Sequence, residues 1–275
     1  MKKLIAMMAV GLWLASPLVA SDPSPLRTLM TGDDSRGWEG VGRLNIGPGG
    51  LCTGAMIADN LVLTAAHCLF SKATGERAHP EDIQFLAGWR NGRASAYRGV
   101  RRVVVHPDYT FTADDRAARV VNDLAVLELD QPIRKSSVKP FAVYSRPKKG
   151  AEVGVVSYAH DRSESPALQE MCQVLARQSG ALVMSCSVDF GSSGAPVFVV
   201  QDGKPAIVSV ISAKAMVRDI PVSLGTNLEK PLADLMQMLA NGDGVFTRVE
   251  PVSRPPVSTF GSGAAGPGGA KFLRP

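Results

Sequence analysis

The 275 residues are 45% hydrophobic and 20% charged, a balance that supports one large β domain or two small ones and excludes a disordered chain. The formal charge of +5 falls to +3 once Lys2 and Lys3 leave with an N-terminal segment. With Lys and Arg scattered along the chain, that excludes a concentrated basic face for nucleic acid. Residues 1–20 carry Lys2 and Lys3, an apolar run from Leu4 to Leu14 and small residues ending at Ala20. This is the pattern of a cleaved secretory signal, and its apolar run is too short to span a bilayer. Residues 21–36 read as a propeptide or linker before a folded domain over 37–242.

Within that domain, short apolar runs bounded by Gly, Pro, Asn and Asp predict strands at Ala55–Ile57, Leu61–Thr64, Ile83–Ala87, Val100–Val105 and Leu124–Leu129. After the Pro-rich stretch 131–150 come Glu152–Ser157, Leu182–Cys186, Pro196–Val200 and Ala206–Ser212. Asp202-Gly203 predicts a hairpin turn. The two groups predict two β-barrels. One helix is expected after Asn227 as cap, with Leu228, Leu232, Leu235, Met236 and Leu239 on one face and Asn241-Gly242 as its stop. Residues 243–275 are Pro- and Gly-rich and read as a flexible tail. Arg101-Arg102 and Lys148-Lys149 read as solvated surface.

Cys52, Cys68, Cys172 and Cys186 follow an export signal, so disulfides are expected over a zinc site; three connectivities are open. Attack on an amide by a side-chain nucleophile needs a hydroxyl, a base, an acid that orients the base, and donors for the oxyanion. His67 directly follows the apolar run Leu61–Thr64, Asp123 opens another, and Ser193 sits in a glycine-bounded turn before a third.

Three segments, Thr64-Ala65-Ala66-His67-Cys68, Asn122-Asp123-Leu124-Ala125 and Gly191-Ser192-Ser193-Gly194-Ala195-Pro196, resemble the signature segments of chymotrypsin- and trypsin-like serine proteases, in that family's order. Cys52-Thr53-Gly54 and Val105-His106-Pro107-Asp108-Tyr109 add to the likeness. The resemblance implies two six-stranded antiparallel β-barrels, an active site in the cleft between them, and a C-terminal helix. It also implies Ser193 as nucleophile, His67 as general base and acid, Asp123 as orienting acid, and the Gly191 and Ser193 amides as oxyanion hole. The pairings Cys52–Cys68 and Cys172–Cys186 are carried with it. By spacing, Ser187, Asp189, Ser212 and Lys214 fall in the substrate pocket; Asp189 would favour basic and Lys214 acidic side chains, which leaves the preference open between the two. His79, His106 and His160 have no family role.

Ser192 stands where trypsin and chymotrypsin have aspartate, Ala195 replaces a glycine, and Cys186 lies farther from Ser193 than the usual pocket cysteine. These departures resemble the bacterial trypsin-like and glutamyl endopeptidase branches. The chain is thus expected to be a secreted or periplasmic, monomeric serine endopeptidase acting on proteins or peptides. No cofactor, metal, nucleic acid or lasting membrane association is expected. A protease-like binding module without turnover is the alternative; an α/β-hydrolase esterase is disfavoured because no G-x-S-x-G elbow surrounds Ser193.

Overall fold

The computed structural model describes residues 23–244, apart from 114, 145–146 and 179, so the expected signal segment 1–20 and all of the expected tail beyond residue 244 lie outside the described residues. The short strand β1 (Arg27–Thr28) precedes a first barrel of β2 (Val41–Ile46), β3 (Gly50–Ala58), β4 (Leu61–Thr64), β5 (Ile83–Ala87), β6 (Ala96–Val105) and β7 (Ala125–Leu129). It closes in the order β2-β3-β4-β7-β6-β5, all pairs antiparallel. After β8 (Ala142–Val143) come β9 (Glu152–Ser157), β10 (Ala167–Gln178), β11 (Ala181–Met184), β12 (Pro196–Gln201), β13 (Lys204–Val217) and β14 (Ile220–Asn227). These six form a second antiparallel ring, closed because β9 pairs both β10 and β12. The fold is the two six-stranded barrels expected from the resemblance, with β1 added to the edge of β10 and β8 added parallel to β13.

Each barrel buries alternating side chains. Leu44, Met56, Val62, Phe85 and Leu127 lie in the first, and Val153, Val174, Leu182, Met184 and Val197 in the second. Trp38 and Phe141 meet Phe198 of β12 edge-on at 5.0 and 4.8 Å, so the segments flanking the first barrel pack on the second. Asp202 and Gly203 both have positive φ, 51° and 73°, the two-residue hairpin geometry expected of them. Arg218 and Asp219 repeat that geometry at φ 50° and 62°, which lets β13 run to Val217 rather than stop at Ser212.

The N-terminal part of the described chain packs on the second barrel: β1 is hydrogen-bonded to β10, Leu29 is fully buried, and the Leu29 amide donates to Pro166 O at 2.8 Å. Two details differ from the sequence expectation. Helix α2 (Glu229–Ala240), which follows the short α1 (Arg116–Val121), has Leu228 at its N-cap with no side-chain cap, while Asn227 Oδ1 is buried without a partner among the described residues. Its buried face is Pro231, Leu235 and Leu239; Met236 is exposed. Arg102, read as solvated, is only 12% exposed at its side chain and meets Glu128 of β7 at 2.7 Å. Burial opposes the Glu128 charge, but Arg101 and Arg102 outweigh it and hold the carboxyl below its usual range.

Candidate active site

His67 lies in a single 3-10 turn, Ala66–Leu69, that leaves β4, and Asp123 lies just before β7, the strand paired with β4. Strand pairing therefore sets the two side by side. His67 Nδ1 is 2.6 Å from Asp123 Oδ2, and the His67 amide donates to Asp123 Oδ1 at 2.8 Å. The Ser212 hydroxyl, from β13, donates to the same Oδ2. Asp123 is 2% exposed, so a carboxylate that would be costly to bury alone is matched by three donors. Ser212, placed at the pocket wall from sequence, is thus committed to the aspartate.

Ser193 is held by the first barrel although it precedes β12 of the second. The Thr53 amide in β3 donates to Ser193 O at 2.9 Å, and the Thr53 hydroxyl donates to Gly191 O at 3.0 Å. The same hydroxyl accepts from the Tyr158 amide at 3.0 Å, and Thr53 O accepts from Thr64 Oγ1 at 2.9 Å. Thr53 is fully buried. It adjoins Cys52, which is bonded to Cys68, the residue after His67. One strand therefore ties the serine turn to the histidine turn. Sequence reasoning saw Thr53 only inside a motif, because its partners lie in other strands.

Gly191 has φ +98°, and a Cβ there would lie 2.7 Å from Ala159 Cα, so only glycine fits. The Gly191 and Ser193 amides make no hydrogen bond to another described residue. Beneath this turn Ser192 is fully buried; its hydroxyl accepts from Arg162 Nη2 at 3.3 Å and lies 3.3 Å from Ser157 Oγ. Its amide donates to Asp189 O at 2.9 Å, and its carbonyl accepts from the Ala195 amide at 3.0 Å. Arg162, only 12% exposed, had no signal in the sequence. Arg162 Nη1 also pairs with Asp161 Oδ1 at 3.0 Å, so the group beneath Ser192 is a guanidinium already matched to a carboxylate.

Ser187 and Asp189 are exposed, and Cys186 is bonded to Cys172. Lys214 Nζ donates to Asp189 Oδ1 at 2.9 Å, a hydrogen bond that, with the Phe190 amide, keeps the Asp189 carboxyl below its usual range. Phe190, 62% exposed, has Lys214 Nζ 5.0 Å and Lys72 Nζ 5.2 Å from its ring centre. Neither Lys72 nor Phe190 carries a sequence signal of its own, because this contact joins residues distant in the chain. His79 and His160 are exposed, whereas His106 is buried, its Nδ1 accepting from the Asp108 amide at 3.3 Å. Cys52, His67 and Cys68 cluster tightly, but both sulfurs belong to one disulfide and offer no thiolate to a metal. A cavity of about 880 Å³ lined by Asp33, Arg36, Glu39, Phe141 and Lys204 contains none of these site residues.

Two closed six-stranded antiparallel β-barrels, with a buried carboxylate bonded to an imidazole in the first and a serine in a glycine-bounded turn tied to that barrel through Thr53, define a chymotrypsin-like fold. A solved structure of a Glu endopeptidase in complex with MPD has this fold, with TM-score 0.64 and 16% identity, covering 82% of this chain and 100% of that one. The family model for trypsin matches residues 32–215, more than half of the sequence, and the chain belongs to the trypsin family of serine proteases. Among curated relatives, complement C1r-B subcomponent of Mus musculus is 34% identical over 91 residues, 32% of this chain and 12% of that protein. Trypsin of Phaedon cochleariae is 33% identical over 91 residues, 32% of this chain and 31% of that protein. Glutamyl endopeptidase of Bacillus licheniformis is 25% identical over 150 residues, 54% of this chain and 45% of that protein. The chain spans less than half the length of each of these relatives.

Proposed function

We propose that this chain is a secreted serine endopeptidase that cleaves peptide bonds through an acyl-enzyme, with Ser193, His67 and Asp123 as its catalytic triad. The observation that carries the reading is the His67–Asp123 pair, at 2.6 Å, stitched through Thr53 and the Cys52–Cys68 bridge to the Ser193 turn. Ser193 Oγ attacks the substrate carbonyl as His67 takes its proton. His67 returns that proton to the leaving amine, and a water activated by the same imidazole then hydrolyses the ester. The free amides of Gly191 and Ser193 are the donors for the oxyanion. Asp123 fixes the imidazole so that its basic nitrogen faces the serine.

Two disulfides support export to an oxidising compartment. Among the described residues no helix is long and apolar enough to cross a membrane. Protein or peptide substrates follow from the proposed chemistry. Asp189 and Lys214 satisfy each other at the pocket mouth, so neither stands there as an unpaired charge selecting its opposite.

The test is casein hydrolysis by the purified mature protein beside Ser193→Ala. Wild type is expected to degrade casein and the variant to lose roughly four to six orders of magnitude in rate. Equal, negligible hydrolysis by two folded proteins would leave the binding module as the better reading.

A further inference from the structure

Three consecutive residues at the edge of the proposed pocket are clamped to β10. The Ser185 amide donates to Gln173 O at 3.0 Å, Cys186 is bonded to Cys172, and the Ser187 amide donates to Gln169 Oε1 at 2.8 Å. The third clamp differs from the others because it reaches further. Gln169 Nε2 donates to Ser24 O at 2.8 Å, so one buried amide, 2% exposed, spans from the N-terminal segment to the pocket. The β10–β9 ladder shifts register between Gln169 and Cys172, and such a bulge re-aims side chains.

Ser24 is itself fixed. Its amide donates to Met171 O at 2.8 Å, and its hydroxyl accepts from the Met171 amide at 2.9 Å. Arg27 and Thr28 pair with Leu168 and Ala167, and Leu29 is buried. An amide side chain with both ends satisfied has one orientation; if either partner is lost, a buried donor or acceptor is left unpaired and that orientation is no longer enforced.

We propose that Gln169 is a positioning residue for substrate binding, and that the segment around Ser24 is a permanent part of the pocket's support rather than a removable propeptide. The proposal rests on the reading of Ser187 as pocket residue. Ser187 is exposed and anchored through its backbone, so loosening it changes how substrate is held without touching His67, Asp123 or Ser193.

The experiment compares four variants of the exported chain on one peptide substrate, with rates normalised to the active-site concentration from fluorophosphonate titration. These are Gln169→Leu, a chain beginning at Leu26 that keeps β1 and Leu29 but lacks Ser24, the two changes combined, and Ser187→Phe. Gln169→Leu and the shortened chain are each expected to raise KM about tenfold with kcat per active site within about threefold. The combination is expected to be no worse than either alone, because both break one relay. A general loss of folded protein would lower the titrated sites and leave KM unchanged.

If Ser187→Phe blocks cleavage while Gln169→Leu and the shortened chain keep KM within twofold, the pocket reading stands and the relay is overturned. Additive effects of the two changes would also overturn it. If Ser187→Phe leaves KM and kcat unaltered, Ser187 does not line the pocket and the proposal falls with that reading. Should Gln169→Leu not fold, the shortened chain alone decides, by the same KM criterion.

Discussion

Asp123→Asn is expected to fold normally and to lose about four orders of magnitude in kcat, the cost of the same change in the Ser-His-Asp template. The carboxylate now accepts from the His67 amide, His67 Nδ1 and the Ser212 hydroxyl. An asparagine offers one acceptor oxygen and one NH2 group. Keeping its oxygen toward the His67 backbone turns its NH2 toward Nδ1, which must then accept. The ring proton moves to Nε2, and the lone pair that should take the Ser193 proton is gone. Burial of the site, 2% exposure at Asp123, gives water little chance to repair it. Steady-state kinetics on a peptide ester, with circular dichroism as the control for folding, checks the claim. A loss below tenfold would mean that the aspartate does not set the tautomer.

Gly194→Ala carries the largest expected cost in stability. Gly194 has φ +78°, and a Cβ there would lie 2.2 Å from Thr64 Oγ1 and 2.3 Å from Thr53 O. Neither contact can yield cheaply. Thr53 O is backbone in β3 and accepts from the Thr64 hydroxyl of β4, so moving one breaks a buried bond within the first barrel beside the serine turn. The Gly194 amide also donates to Ile211 O at 2.8 Å. Backbone strain and a steric overlap with main chain together are worth about 3 kcal/mol or more. The variant is expected to be secreted in much reduced amount and to unfold at lower urea concentration than wild type. By contrast, Gly203→Ala, in the β12–β13 turn where a Cβ would meet nothing within 4 Å, is expected to cost only the strain of φ +73°. Equal urea midpoints for the two glycine variants would contradict this reading of the turn.

The parts of the molecule legible in the sequence are those whose chemistry is local. His67, Asp123 and Ser193 each sit within a few residues of a strand and a turn, so motif and geometry are written in the same short segment. The Asp202-Gly203 hairpin was readable for the same reason. Strand β10 was missed because Ala167–Gln178 mixes Gln, Glu and Arg with apolar residues, and its most deeply buried polar group, Gln169, is satisfied only by partners in β1's approach and in the 185–187 segment. Strand β2 was missed because its glycine and arginine break the apolar run, although Gly42 is required where Phe85 lies 2.3 Å from its added Cβ. Arg162 looked like one surface charge among many, and its value lies in Ser192 being a serine, a relation between residues 30 positions apart. Thr53 is the clearest case: its four hydrogen bonds reach Ser193, Gly191, Tyr158 and Thr64, and no window of sequence contains them all.

In the proposed mechanism Ser193 is a nucleophile activated by His67. The most direct measurement is reaction of the folded, mature protein with a fluorophosphonate, followed by peptide mass spectrometry. A single phosphonyl adduct on Ser193 is expected, lost in His67→Ala as well as in Ser193→Ala, because an unassisted hydroxyl is a poor nucleophile at neutral pH. An unlabelled folded wild type, or an adduct on any other residue, would contradict it.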